Sequence, residues 1–335
     1  MRRRIQWIAL SIATLILMPL TALGAMPRSA SLATAAVGSQ NNAWGTGIAT
    51  IIGRYTPITV RVQPFAGPPA WLPSMDTGDT DMGVLTGPDA LTSYKGIVIY
   101  KRPFRNTRIL IIGGSLNLSF YVAKDNNMMS VADLRGKKIP GDFPGTPIVK
   151  LSTTAALASV GLTYSEVVKV PVSDLQSGAQ AFLEGRTDAG WHTVGSPAVQ
   201  EANARIGGGV KFLSVGSTPE GANRMADIYP GSYPSTLKAG SAAGIVRDTA
   251  VLTNDVYLVA SKNLSDEAAY EVVKALWDYN QELGAAYPPL KDWTQERMVS
   301  FKATIPYHPG AIRFFKEKGV WSKEIEALQA KLMAQ

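Results

Sequence analysis

The chain has 335 residues, 46% of them hydrophobic and 18% charged, the composition of a globular protein with room for two domains of about 150 residues each. Low-complexity disorder and coiled coil are thereby excluded. Lys and Arg outnumber Asp and Glu by 33 to 26, and cysteine is absent, which removes disulfides, thiolate zinc sites and thiol nucleophiles together.

The charge excess begins at the amino end. Arg2, Arg3 and Arg4 precede an apolar run over residues 7–18, then Pro19 and the small-residue stretch Ala22, Leu23, Gly24 and Ala25. These are the three regions of a secretory signal, expected over residues 1–25. The apolar run is too short for a permanent membrane span, which needs about 20 residues. Removing the three arginines takes the net charge from +7 to +4, and the remaining cations are dispersed, so nucleic acid is not an expected partner. Bacterial lipid anchoring needs a cysteine after the cleavage site, so the expectation is a freely diffusing periplasmic protein.

Residues 31–37 are β-compatible, 38–42 read as a loop, and 43–54 carry Ile48, Ile51 and Ile52 at helical spacing. Residues 58–65 alternate as a strand, a short helix over 70–77 is capped by Gly78, and 81–85 form the next strand. This is β-α-β-α-β, the unit of a parallel sheet. The unit recurs. Gly78 to Thr86 matches Gly185 to Thr193 as G-x-T-D-x-G-x-x-T, and the same gapless offset of 107 pairs Gly38 with Gly145, Thr46 with Thr153, Val60 with Val167 and Pro64 with Pro171. Eleven identities fall in the forty-nine aligned positions, clustered at turns, which predicts two related lobes.

Residues 109–123 and 250–260 are β-rich and long enough to cross between lobes. Ser265 then caps a helix whose apolar face is Ala269, Val272, Val273, Leu276 and Trp277, and Pro309 with Gly319 brackets another. The expected fold class is α/β: a two-lobed binding protein of the type II kind, each lobe a mainly parallel sheet flanked by helices, with a ligand cleft between them. The expected organisation is a signal at 1–25, lobe one at 26–118, lobe two at 119–252, and a return to lobe one at 253–335.

The chemistry is notable for what it lacks. There is no G-x-S-x-G elbow, no dinucleotide fingerprint and no P-loop, and His192 and His308 are the only imidazoles. No cofactor, metal or catalytic residue is expected. Ser235 and Lys238 match S-x-x-K and read as a surface turn. Asp76, Asp79 and Asp81 could form a calcium loop, but the second copy keeps only Asp188, at the place of Asp81, so that position reads as a turn carboxylate bonding nearby amides.

Open α/β sheets place ligands at the carboxyl ends of their strands. Lobe one supplies Ser39, Gln40, Asn41, Asn42 and Trp44, then Gly67 and Trp71, then Thr86; lobe two supplies Gly145 and Thr146, then Trp191, His192 and Thr193. Two helix starts, after Gly38 and Gly145, would offer backbone N–H groups to a carboxylate. Trp44, Trp71 and Trp191 read as an aromatic clamp or as groove packing, and His192 as a ligand hydrogen bond or a loop contact. Trp277, Trp293 and Trp321 read as core, and His308 as a helix-start residue.

These residues resemble a known family, the TAXI group of solute-binding proteins of TRAP transporters. The resemblance rests on Ala132 to Lys138 (ADLRGKK), on Thr77 to Asp81 (TGDTD), on Tyr229, Pro230 and Gly231, and on His308 to Ile312 (HPGAI). It implies a receptor, not an enzyme, that closes on a small organic acid and passes it to the membrane subunits of an ion-driven permease, as a monomer in the periplasm. The family's glycine-rich first loop with paired tyrosines is Gly38 to Trp44 here, and its Gly-Gly-Ser loop is Ala66 to Trp71, so a larger or partly apolar carboxylate is expected rather than glutamate. A receptor for an ABC importer, or an enzyme on the same scaffold, are the alternatives.

Overall fold

A computed structural model describes residues 26–335, apart from positions 36 and 38; the proposed signal segment and Gly38 lie outside the described residues. In chain order the first unit is β1 (Ser29–Thr34), α1 (Gln40–Tyr55), β2 (Thr59–Pro64), α2 (Pro68–Thr77), β3 (Met82–Thr86) and α3 (Gly87–Lys95). The long strand β4 (Thr107–Ala123) leads into the second: β5 (Lys138–Asp142), α4 (Pro147–Ser159), β6 (Val168–Val172), α5 (Leu175–Leu183), β7 (Gly190–Thr193), α6 (Pro197–Arg205) and β8 (Val210–Phe212). Then come α7 (Pro219–Ile228), β9 (Ser232–Leu237), the long β10 (Thr249–Ser261) and the helices α8 (Asp266–Asp278), α9 (Asn280–Ala286), α10 (Pro309–Glu317) and α11 (Lys323–Met333).

The offset of 107 is a structural repeat, and it preserves strand register. β1 pairs β2 in parallel with Ser31 opposite Arg61; β5 pairs β6 in parallel with Lys138 opposite Val168, each residue shifted by 107. The repeated carboxylate explains part of this. Asp81 Oδ2 accepts from the Ser31 N–H at 2.8 Å, and Asp188 Oδ2 accepts from the Lys138 N–H at 2.7 Å. These aspartates therefore tie the strand start fifty residues earlier, rather than a neighbouring turn as the sequence indicates. The other two candidate calcium ligands diverge: Asp76 takes Arg102 and the Asn106 amide, and Asp79 accepts from Thr77.

The sheet differs from expectation. Among the named strands of the described residues, parallel pairing is confined to β2-β1-β3 and β5-β6, while β10 runs antiparallel between β3 and β4, and β4 continues antiparallel to β7 and β8. One eight-stranded mixed sheet thus passes through both halves, and β4 and β10 are long because each contributes to both. The pattern of alternating βα units gives no local sign of the antiparallel insertion, which is set by long-range pairing. Ser235 lies in β9 with its hydroxyl bonded to Thr253, so the first three residues of S-x-x-K belong to a strand, and Lys238 follows it, exposed and paired with Asp248.

The apolar interior is divided. One core gathers β1–β3, the first half of β4, the second half of β10 and the C-terminal helices; the other lies between residues 118 and 252, with a smaller cluster around Tyr121 and Phe212. Leu116, in mid-β4, packs against both main cores. Close packing requires glycine at specific points. A Cβ on Gly83 would fall 2.6 Å from the Trp71 ring, and one on Gly113 would fall 2.2 Å from the Trp293 ring. Gly78 caps α2 at φ 94°, in the left-handed region. Ser265 caps α8 by accepting from the Ala268 N–H, and the His308 imidazole caps α10 by accepting from the Gly310 N–H at 3.2 Å. Among the described residues, no helix is long and apolar enough to cross a membrane.

Candidate functional site

The strand ends of the two repeats, and the waist of β4 and β10 between them, hold the candidate site. In the first repeat, the start of α1 is fixed by its own polar side chains. Ser39 Oγ accepts from the Asn42 N–H, Asn41 Oδ1 accepts from the Ala35 N–H at 3.0 Å while its amide donates to the Val84 carbonyl, and Asn42 donates to Thr34 Oγ1 at 2.9 Å. The Asn41 and Asn42 amides, expected to meet a ligand, thus anchor α1 to β1 and β3. Gln40 is half-buried beside them.

Gly67 precedes α2, whose first two residues, Pro68 and Pro69, have no N–H to offer an anion. Trp71 is 1% exposed, with its ring edge over Gly83, so it packs in the core and does not form part of an exposed clamp. Thr86 caps α3: Oγ1 accepts from the Asp89 N–H and donates to Asp89 Oδ2 at 2.8 Å. Burial pushes the Asp89 carboxyl up to about 6, outweighing the hydrogen bonds from Thr86 and Tyr100 that favour its charged form. The second repeat reaches this point through the loop after α7. Asn254 donates to the Tyr229 hydroxyl at 3.3 Å, and the backbone of Gly231 lies against Gly87 and Pro88.

In the second repeat, Gly145 N–H donates to the Ser173 carbonyl, and Thr146 stands at the α4 cap position without a side-chain cap bond; its hydroxyl is buried and unpartnered. Pro147 follows, so this helix start presents fewer N–H groups than the sequence pattern implies. Just before it, Asp142 and Phe143 have φ of 70° and 48°, two consecutive non-glycine residues in the left-handed region. Such conformations cost on the order of 1–3 kcal/mol each and concentrate at ligand sites. The strain is held by the buried Phe143 ring, by its N–H on the Val172 carbonyl at 3.1 Å, and by Lys169 on Asp142 at 2.5 Å.

Trp191 packs edge-on against Phe120 with ring centroids 4.8 Å apart, and Trp44 lies 5.9 Å from Trp293. Both are buried, so neither lines an open cleft as an exposed aromatic wall; each nevertheless keeps an indole N–H without a protein partner. His192 is buried beside Ser119 on the paired strand, and its Nδ1 accepts from the Thr193 N–H at 2.9 Å. Burial lowers its pKa to about 4, so the ring is neutral near pH 7. Thr193 is half-buried opposite Leu118.

The arginine at the waist escaped sequence reasoning. Arg297 donates through Nε to the Gly113 carbonyl at 2.7 Å, and through Nη2 to Ser115 Oγ at 2.6 Å and Asp255 Oδ1 at 2.7 Å; Tyr233 donates to the same Asp255 oxygen at 2.8 Å. It sits in an aperiodic stretch with no motif, so only the tertiary structure reveals it. Arg102 pairs with Asp76, and Arg108 bonds carbonyls at the start of β4, away from the waist.

The fold is shared with known proteins. At TM-score 0.51 and 15% identity, with 80% of this chain and 89% of the other covered, it is similar to a TctC solute-binding protein from Polaromonas. It is also similar to a putative sulfonate ABC transporter's periplasmic sulfonate-binding protein SsuA from Methylobacillus flagellatus KT, at TM-score 0.48 and 16% identity with 90% and 94% covered. The periplasmic aliphatic sulphonate-binding protein SsuA from Escherichia coli matches at TM-score 0.45 and 15% identity, with 92% and 100% covered. The α/β fold is that of solute-binding proteins, and a family match over residues 32–319 shows that this chain belongs to the NMT1-like family.

Proposed function

We propose that the chain is an extracytoplasmic solute receptor that binds a small organic acid between two lobes and delivers it to a TRAP-type permease. The lobes are residues 26–118 with 253–335, and residues 119–252, a division supported by the two separate cores. Export relies on the signal at residues 1–25, and the receptor works as a periplasmic monomer. The observation that carries the reading is the register-preserving repeat: it puts the cap residues Ser39 of α1 and Thr146 of α4 at equivalent strand ends of two similar units joined through β4 and β10.

In the ligand-bound form, the Trp44 and Trp191 N–H groups, the Thr146 hydroxyl and the backbone around Ser39 and Gly145 bind the anion. Neutral donors of this kind suit a carboxylate whose remaining surface is apolar. Hinge motion at the Gly113 and Gly114 waist of β4 closes the lobes. Both imidazoles serve as backbone acceptors, which supports a binding role over a catalytic one. Native mass spectrometry of the protein isolated from the periplasm should show a bound carboxylate. Tryptophan emission and melting temperature should respond when that compound is added back. A protein that converts the compound, or that binds no small acid, would refute the reading.

A further inference from the structure

The two repeats differ in one connection. Between α3 and β4 the chain uses residues 96–106, whereas between α6 and β8 it uses residues 206–209, although β8 lies antiparallel beside β4 as β4 lies beside β10. The unit can therefore close with four residues, and the longer turn is an addition to lobe one.

That turn is anchored at both ends and carries two of its aliphatic residues outward. Tyr100 and Phe104 are buried with their rings edge to face, the Ile97 N–H donates to the Thr92 carbonyl and the Phe104 N–H to the Ser93 carbonyl, both at 2.9 Å. Between these anchors Ile97 is 41% and Val98 53% exposed, and Val98 is held at φ 63°. A β-branched residue in the left-handed region is a strained choice where glycine would fit without strain, and such strain is retained where surrounding structure and use require it. Lys95, Lys101, Arg102 and Arg105 flank the pair in sequence, all exposed, with no acidic residue from position 95 to 106. Arg102 pairs with Asp76, and its guanidinium also lies 4.3 Å from the Phe104 ring centroid.

We infer that this turn is a docking surface for an acidic extracytoplasmic face of the membrane transport subunit, an inference that rests on the receptor reading. Two aliphatic side chains on a turn anchored at both ends, with four exposed cations close by in sequence, match a protein surface with an apolar centre and carboxylates beside it. The aromatic residues point inward, so the turn lacks the large side chains with which peripheral proteins enter a lipid interface.

The test uses the full chain in its own cells, with a photo-cross-linking residue in place of Ile97. The wild-type surroundings should yield an adduct with an integral membrane transport subunit. Two variants separate docking from folding: Lys101→Glu with Arg105→Glu, and Val98→Gly, whose new residue is at ease at this φ. Both should bind the co-purifying solute as wild type does, yet lose the adduct and lower solute uptake by about fivefold or more. Unchanged uptake and adduct in both variants would overturn the inference. So would binding to vesicles of equal parts phosphatidylglycerol and phosphatidylcholine that depends on the same residues without a protein adduct. Failure of the purified wild type to bind any solute would instead refute the receptor reading, leaving a distinct signature.

Discussion

His192 and Asp89 should give the protein opposed pH dependences that nearly cancel, and single substitutions should uncover each. Burial lowers the His192 pKa from 6.5 to about 4. The unfolded chain therefore takes up a proton near 6.5 that the folded chain refuses until about 4. The stability supplied by the neutral buried ring is intact above 6.5 and is lost as the pH falls toward 4. At about 1.36 kcal/mol per pKa unit, the loss is about 3 kcal/mol. Asp89 has the opposite sign: burial raises it from 3.8 to about 6, so the folded chain keeps a proton that the unfolded chain releases. Its contribution is intact below 3.8 and is lost as the pH rises through 6, again by about 3 kcal/mol.

Urea unfolding of wild type, His192→Gln and Asp89→Asn across about pH 4 to 7 reads these terms as differences. Acidification should stabilise His192→Gln relative to wild type by about 3 kcal/mol over that span, and should destabilise Asp89→Asn relative to wild type by a similar amount. Constant offsets are expected, since Gln does not reproduce the Nδ1 acceptor and Asn alters the Thr86 cap. Stability curves parallel to wild type for either variant would refute the burial assigned to that residue.

The other predictions concern packing and the proposed ligand donors. Gly83→Val would press a side chain into the Trp71 ring and should cost about 1–3 kcal/mol, measured by chemical denaturation. Asp81→Ala should cost more than Asp188→Ala, within a range of about 1–3 kcal/mol, because Asp81 accepts from both the N–H and the hydroxyl of Ser31 whereas Asp188 accepts from one amide. Equal losses in calorimetry would count against that accounting. Trp44→Phe and Trp191→Phe remove an indole N–H while keeping an aromatic ring, so titration calorimetry should show weakened solute binding, alongside a stability loss of about 1–3 kcal/mol from the smaller ring in each buried site.

Much of the fold was legible because local chemistry fixed it. The offset of 107 is visible as matching residue types at turns and element ends even though Asp81 and Asp188 bond fifty residues back, and Gly78, Ser265 and Pro309 mark helix ends through capping and dihedral preferences that need no distant partner. The antiparallel placement of β10 between β3 and β4 was not legible, since β-rich residues at 250–260 do not encode a neighbour far away in sequence. The tryptophans show the same boundary. Trp44 and Trp71 lie in helices α1 and α2 rather than in loops, and Trp191 lies within β7, and whether a ring there meets solvent or a core depends on what the chain packs against it, such as Gly83 under Trp71 and Phe120 beside Trp191. Asn41 and Asn42 have the chemistry to bind ligand or backbone, and the geometry of β1 and β3 decides for backbone.

Duplication within one chain also separates what the unit needs from what each copy has acquired. Asp81 and Asp188 make the same bond at the same register, so that bond belongs to the unit. The amides that anchor α1 have no counterpart at α4, where Ile148 and Val149 occupy the equivalent positions and the strained Asp142 and Phe143 fix the approach instead. The two helix starts are thus held by different means: four side-chain bonds in the first repeat, a strained backbone and a buried ring in the second. A ligand pressing on both would meet a stiff polar wall on one side and a strained, apolar one on the other. Under the receptor reading proposed above, this asymmetry would suit a solute with one anionic end and one apolar end better than one with two equivalent carboxylates.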